Sequence, residues 1–379
     1  MIESKHRLKV LFLSSWFPHQ SSPTLGNFVH RHAQAISTLH DVHVLYLAPS
    51  ESPSLHIEHG HLEDIPHTTA YIPSNKGVFY KVRVFQSLLD ELSKKVGSFD
   101  IIHHNVIWPE GWQAYLASRK WGIPYVITEH WTGFDKDERG VLPWKIKLLA
   151  RFIGKHAAAI MPVSSNLGQA MKKQGIHGNY IAIPNVVNES LFHIGEKNNS
   201  EKVFLHVSTF DEAQKNISGI LRAWKEFSQE KSNVKLLIGG DGDNTIAKNY
   251  AHSLGIRSDS ITFFSKKSWE EIAEMMSMAH ALVIFSNYEN LPCVMIEALS
   301  SGMKVIATNV GGISECVHDG NGILIPKRDE KALVHALQSI ANEPYDETKA
   351  QALKISTDMQ YGFVAVAKKF DAVYKKSLG

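Results

Sequence analysis

Two successive series of short apolar runs constrain this 379-residue chain more than any other feature. The first series reads KVLFLSS (9–15), VHVLYLA (42–48), DIIHH (100–104), YVITEH (125–130), AIMPVS (159–164) and YIAIP (180–184). Helix-length segments at 27–39, 111–121 and 144–157 lie between them. That alternation is the βαβ rhythm of a parallel sheet. It restarts with VFLHVST (203–209), VKLLIGG (234–240), ITFFS (261–265), ALVIFS (281–286), KVIAT (304–308) and GILIP (322–326). The reading is α/β, with two doubly wound, Rossmann-like domains. The polar stretch HIGEKNNSEK (193–202) is the expected linker, which gives domains 1–192 and 193–360. Residues 361–379 are expected to form a terminal helix that packs back on the first domain.

Composition narrows the function classes. A net charge of +2 does not suggest a nucleic-acid binder. Two cysteines, Cys293 and Cys316, without a CxxC, argue against a disulfide framework or a cysteine-rich zinc site. The 21 histidines include no HExxH. The apolar run Val10–Leu13 is too short for a signal-peptide core, and no run of 18 apolar residues exists to span a bilayer. A cytoplasmic location is expected.

Open α/β sheets bind ligands at the carboxyl ends of their strands. Polar residues in such positions include Ser14, His103, His104, His130, Ser164, Asn185, Ser208, Ser286 and Glu289. The densest cluster is SNYENLPCVMIEALSSG (286–302), with Glu289 and Glu297 eight positions apart. Pro292 suits a helix start and Gly302 a helix stop, so a helix over 292–301 is expected. Its unsatisfied N–H groups near Asn290 and Leu291 would favour a phosphate. Carboxylates on either side suit a ligand with hydroxyls flanking a diphosphate, such as a nucleotide sugar.

This motif resembles the Glu-x7-Glu signature of family 4 glycosyltransferases, which are retaining enzymes of the GT-B fold. GMKVIATNVGGISECVHDGNGILI, IPNVVNESLF (183–192), HVSTFDEAQKN (206–216), LLIGGDGD (236–243) and FPHQSSPTLGNFVHRHAQAIS (17–37) extend the likeness over nearly the whole chain. The resemblance implies two Rossmann-like domains facing a central cleft. It implies a nucleotide-diphosphate sugar as donor, a UDP-sugar favoured, and no metal or other cofactor. Glu297 would take the ribose hydroxyls and Glu289 the donor sugar. The backbone at Asn290 and Leu291, with Lys215, would take the diphosphate. His130 would lie beside donor sugar and acceptor. Gly26 with Asn27, and Ser208, would complete the substrate-binding set. One departure stands out. The family often carries an arginine five or six residues before the lysine, and here Ser208-Thr209-Phe210 occupy that region.

Each residue also has a plainer reading. Glu297 alone reads as the solvent-facing position of an amphipathic helix; Glu289, Pro292 and Gly311-Gly312 tip it to a ligand role. Lys215 alone is as readily a surface lysine. His103 and His104 read as one packed and one solvent-facing residue. Asp241-x-Asp243 and Asp135-x-Asp137 mimic a metal-binding DxD but read as turn and helix-start residues. Gly239-Gly240-x-Gly242 lacks dinucleotide-fingerprint spacing. Lys147, Arg151 and Lys155 fall on one stripe of 142–157, with Leu148, Leu149, Phe152 and Ile153 beside it. That pattern suits either a solvated basic face or contact with an anionic membrane surface, where a lipid-linked acceptor would be met.

The activity so implied is retaining transfer of a sugar to an acceptor hydroxyl in polysaccharide or glycolipid assembly. A nucleotide-sugar epimerase of the same fold and a non-catalytic nucleotide-sugar binder are the alternatives.

Overall fold

The computed structural model describes residues 7–135, 140–197 and 200–379. The chain divides into two compact units, 1–186 with 363–379, and 187–362.

Unit 1 is built on a seven-stranded sheet ordered β3-β4-β2-β1-β5-β6-β7. Its strands are β1 Lys9–Ser14, β2 Asp41–Ser50, β3 His56–Leu62, β4 Ile65–Pro73, β5 Ile101–Asn105, β6 Tyr125–Glu129 and β7 Ala159–Pro162. All pairs are parallel except β3 with β4. The helices Asn27–Ser37, Trp112–Trp121 and Trp144–His156 fall where the spacing predicts them. The hairpin β3–β4 had no counterpart among the expected strands. Its outer strand has no buried residue, so no apolar run marks it. The run at 180–184 is not a strand. It runs beside β7 through the bridge Ile160 to Tyr180, with the Ile181 and Ile183 N–H groups donating to the Ile160 and Pro162 carbonyls at 3.0 Å, and Pro184 has no N–H to extend a ladder.

Unit 2 is a six-stranded, all-parallel sheet ordered β10-β9-β8-β11-β12-β13. Its strands are β8 Lys202–Val207, β9 Val234–Gly239, β10 Ile261–Phe264, β11 Ala281–Ile284, β12 Lys304–Thr308 and β13 Gly322–Ile325. Strands β8 and β11 are neighbours although β9, β10 and four helices lie between them in sequence, so strand order reverses between them. Such a reversal opens a crevice at the strands' carboxyl ends.

The units divide six residues before the expected 192/193 boundary. Residues 187–197 pack within unit 2 instead of linking: Phe192 is fully buried and the Gly195 N–H donates to the Ser277 carbonyl at 3.3 Å. Asn198 and Asn199 of the expected linker lie outside the described residues. The helix Phe363–Leu378 belongs to unit 1, where Val366, Phe370, Val373 and Tyr374 enter the core. Tyr374 also shares a 2.5 Å hydrogen bond with His103 Nδ1.

Candidate functional site

In unit 2 the candidate residues gather where strand order reverses. After β8, Asp211 caps the short helix Glu212–Lys215 by accepting from the N–H groups of Ala213 and Gln214. Asn216, in left-handed conformation, then turns the chain into the helix Ile217–Glu230. Lys215 is thereby the last residue of a helical turn and not part of an open loop. After β11 comes the 286–292 loop. Lys215 Nζ meets Glu289 Oε1 at 2.5 Å. Ser286 Oγ donates to the same oxygen at 2.9 Å, and Gln214 Nε2 reaches Oε2 at 3.3 Å. Glu289 is only 7% exposed.

The two loops are pinned to one another. The Asn287 N–H donates to the Gln214 carbonyl at 2.7 Å, and its side-chain amide to the Ala213 carbonyl at 3.0 Å. Arg328 Nε donates to Asn287 Oδ1 at 3.0 Å. The loop after β12 closes the group. The Gly312 N–H donates to the Asn290 carbonyl at 2.7 Å. Gly311 has φ +57°, and a Cβ there would lie 1.8 Å from the Glu289 carbonyl oxygen, so only glycine fits.

The following helix spans Cys293–Ser300, with Pro292 at its cap in extended conformation. It starts one residue later than expected because Pro292, at ψ 127°, has not yet entered the helix. Glu297 is 2% exposed, which excludes a solvent-facing position. Every residue from Met295 to Ser300 is buried, so this helix has no wet face. Asn290 and Leu291 are buried with it. Ser208 is turned into its own loop: its hydroxyl pairs with His206 Nε2 at 2.8 Å and accepts from the Phe210 N–H at 3.3 Å.

In unit 1 His130 directly follows β6 and is 8% exposed. The Phe28 and His32 rings, both on the helix Asn27–Ser37, pack against it with centroids 4.5 and 5.1 Å away. Gly26 starts that helix at φ +68°, where a Cβ would lie 2.6 Å from the Trp16 carbonyl oxygen. Its glycine is thus required by the chain's own backbone. Asn27, half-buried, begins the helix. Burial holds the His130 pKa well below its ordinary value, with His32 and His103 adding repulsion and a hydrogen bond with Asn185 opposing them. Glu129, one residue earlier, escaped notice in the sequence. It accepts from the N–H groups of Ile107, His130 and Trp131 at 2.8–2.9 Å, and burial pushes its pKa up to about 7. Its only signal was a charged residue inside the apolar run YVITEH.

Other readings are corrected. His103 and His104 are both fully buried, and neither faces solvent. His103 bonds Thr128 and Tyr374, and His104 donates to the Val106 carbonyl. Asp243 accepts from the Thr245 N–H and hydroxyl in a turn, while Asp241 pairs with Lys266 at 3.4 Å. Asp137 lies outside the described residues. Among the described residues no three His, Cys, Asp or Glu side chains form a metal-binding group.

The family described as Glycosyltransferase Family 4 matches residues 25–191, and the one described as Glycosyl transferases group 1 matches residues 187–356. The chain belongs to glycosyltransferase family 4. It is 26% identical over 348 residues to an uncharacterised glycosyltransferase of Methanocaldococcus jannaschii, covering 88% of this chain and 89% of that protein. It is 25% identical over 293 residues to the N-acetyl-alpha-D-glucosaminyl L-malate synthase of Bacillus anthracis, covering 73% and 74%. The GT-B fold is shared with sucrose-phosphate synthase from Thermosynechococcus elongatus, at TM-score 0.78, 21% identity and 98% and 99% coverage. Anabaena HepE, solved in complex with UDP-glucose, matches at TM-score 0.72, 16% identity and 97% and 100% coverage. This glycosyltransferase therefore carries its Glu-x7-Glu pair on the β11 loop and the helix behind it.

The buried imidazoles make unit 1 acid-sensitive. Burial lowers the pKa of His32 and His104 to about 4, and of His103 and His130 well below 6.5. Their folded pKa values lie below the unfolded one, so stability is complete above about pH 6.5 and falls as the unfolded state takes up protons. At pH 5 His32 and His104 should each cost about 2 kcal/mol. Glu129, raised in the folded state, works in the opposite direction and offsets about one imidazole. Denaturant midpoints measured from pH 7.5 to 5 should fall throughout; a flat or rising profile would contradict the buried neutral cluster.

Proposed function

We propose that this glycosyltransferase uses a nucleotide-diphosphate sugar, a UDP-sugar favoured, and transfers the sugar to an acceptor hydroxyl with retention at the anomeric carbon. The observation that carries the reading is the Lys215–Glu289 pair, held at the carboxyl ends of the two strands where sheet order reverses. Glu289 is an acceptor whose orientation is set by Ser286, Gln214 and Lys215. Such a carboxylate suits sugar hydroxyls. Lys215 is a cation within reach of a diphosphate approaching the same crevice. In the transition state the departing diphosphate gains negative charge, and a fixed ammonium in a low-dielectric site is worth most then. Lys215 and backbone N–H groups of the 289–293 segment meet that charge without a metal. Glu297 receives the ribose hydroxyls, and neutral His130 accompanies the acceptor side. Same-face attack lets the leaving phosphate take the acceptor proton.

Polysaccharide or glycolipid assembly is the setting we favour, because one face of the helix Trp144–His156 suits a membrane surface. Trp144, Leu148 and Phe152, at i, i+4 and i+8, are 69%, 61% and 42% exposed. Lys145, Arg151 and Lys155 are exposed beside them, whereas Lys147 of the expected stripe is half-buried and Ile153 packs inward. Apolar side chains bordered by cations match an anionic lipid surface, with about 1 kcal/mol per basic residue. Among the described residues no helix is long and apolar enough to cross a membrane.

The donor assignment is tested by thermal shift with a panel of nucleotide sugars. A donor at 100 times its dissociation constant should stabilise the wild type by about 2.7 kcal/mol. Glu297→Ala should abolish most of that shift, since it removes hydroxyl acceptors shared by ground and transition states. Turnover with the donor so found should persist in EDTA. An unchanged shift in the variant, or turnover lost in chelator and restored by manganese, would refute the reading. For the membrane face, Trp144→Ser with Leu148→Ser should release the protein from phosphatidylglycerol vesicles in sedimentation. Undiminished binding would reject that surface.

A further inference from the structure

Unit 2 also holds a cavity of about 330 Å³ at the opposite end of its sheet. Lys202, His280, Lys304 and Gly320 line it. Lys202 opens β8 and Lys304 opens β12, while His280 and Gly320 come one and two residues before β11 and β13. The other wall is Glu343, with Asp346 and Lys349 at the start of the helix Glu347–Tyr361. The volume lies in the range of small-molecule sites.

Its lining contains polar groups that the protein itself does not satisfy. His280 is 7% exposed, and its Nδ1 accepts from the Val203 N–H at 3.2 Å. The proton of the neutral ring is therefore on Nε2, and Nε2 has no acceptor among the described residues. Burial holds this imidazole neutral, reinforced by the charges of Lys202 and Lys197. Lys202 is 6% exposed; its ammonium donates to the Glu343 carbonyl at 2.9 Å, and the Glu343 charge partly offsets the burial that lowers its pKa. A buried donor without an acceptor, and a buried cation whose counter-charge on Glu343 is already bound to Lys304, both carry a desolvation cost. An anion in the cavity would relieve both.

The rest of the wall selects which anion. Lys304 is already neutralised by Glu343, at 2.6 Å to both carboxylate oxygens. Asp319 and Asp346 add further carboxylates. These repel a bare anion but accept from hydroxyl groups. We propose that this cavity binds a hydroxylated organic phosphate of sugar-phosphate type, its phosphate on Lys202 and His280 and its hydroxyls on the rim carboxylates. The site is distinct from the Lys215–Glu289 crevice, because it lies at the amino ends of the strands and the crevice at their carboxyl ends. Both can be filled at once.

Calorimetric titration of the full chain with glucose 6-phosphate, in saturating UDP, tests this. A single class of site is expected. Lys202→Met should weaken it by roughly tenfold or more, as a charge-assisted contact is lost. Lys349→Glu should also weaken it; this side chain is 74% exposed, so its change leaves the fold intact, as an unaltered melting temperature would verify. Glucose should not bind, and inorganic phosphate should bind more weakly than the sugar phosphate. The proposal is overturned if glucose 6-phosphate gives no binding, if UDP displaces it, if both variants bind it like wild type, or if inorganic phosphate binds as tightly.

Discussion

A carboxylate and an ammonium, both largely removed from water, sit 2.5 Å apart at the carboxyl ends of β8 and β11 in unit 2. Each would be costly alone in that setting, and breaking such a pair by removing one partner costs about 3–5 kcal/mol. The surrounding loops are arranged around it. Asp211 caps the turn that ends in Lys215, and Asn287 ties that turn to the Glu289 loop. Gly311 lets a third loop lie directly on the Glu289 carbonyl. A ligand entering the crevice meets groups whose positions are already set, which reduces the ordering needed on binding.

The pair also changes how the two residues should be viewed. Under the proposed function, Lys215 taken alone answers to a diphosphate and Glu289 to a sugar. As a pair, each holds the other's charge until a donor arrives. A nucleotide sugar would offer the ammonium phosphate oxygens and the carboxylate hydroxyl donors, so neither loses a partner on binding. A ligand with only one of those features leaves one charge worse off. Discrimination of that kind comes from unpaired polar groups in the wrong complex.

Much of this was readable in the linear chain. Two runs of alternating strands and helices announce two parallel sheets, and polar residues after strands point to the crevice. Glu289, Pro292 and Glu297 lie within nine positions, so local spacing exposes them. What escaped depends on residues distant in sequence. Lys215 and Glu289 are separated by 74 positions, and nothing local says that they touch. His103 shares a hydrogen bond with Tyr374, 271 positions away on the terminal helix. The outer strand β3 lacked an apolar run because it is an unburied edge, and in β4 the buried Thr68 and Thr69 interrupt the apolar residues. The Ser208 hydroxyl pairs with the neutral His206 ring, a contact that the sequence does not announce. Periodicity and short motifs report on local geometry; pairing across a sheet does not appear in them.

The central claim is that Lys215 and Glu289 act on the donor as one coupled unit. A double-mutant cycle on turnover tests it most directly, with Lys215→Ala, Glu289→Gln and their combination assayed at saturating donor. Lys215→Ala alone should cost about 10²–10³ in rate, as for loss of one transition-state donor. It also leaves an uncompensated carboxylate beside the diphosphate, which Glu289→Gln would remove. The account therefore predicts that the double variant is no slower than Lys215→Ala alone. Losses that multiply, giving a double variant slower by the product of the two single effects, would contradict it.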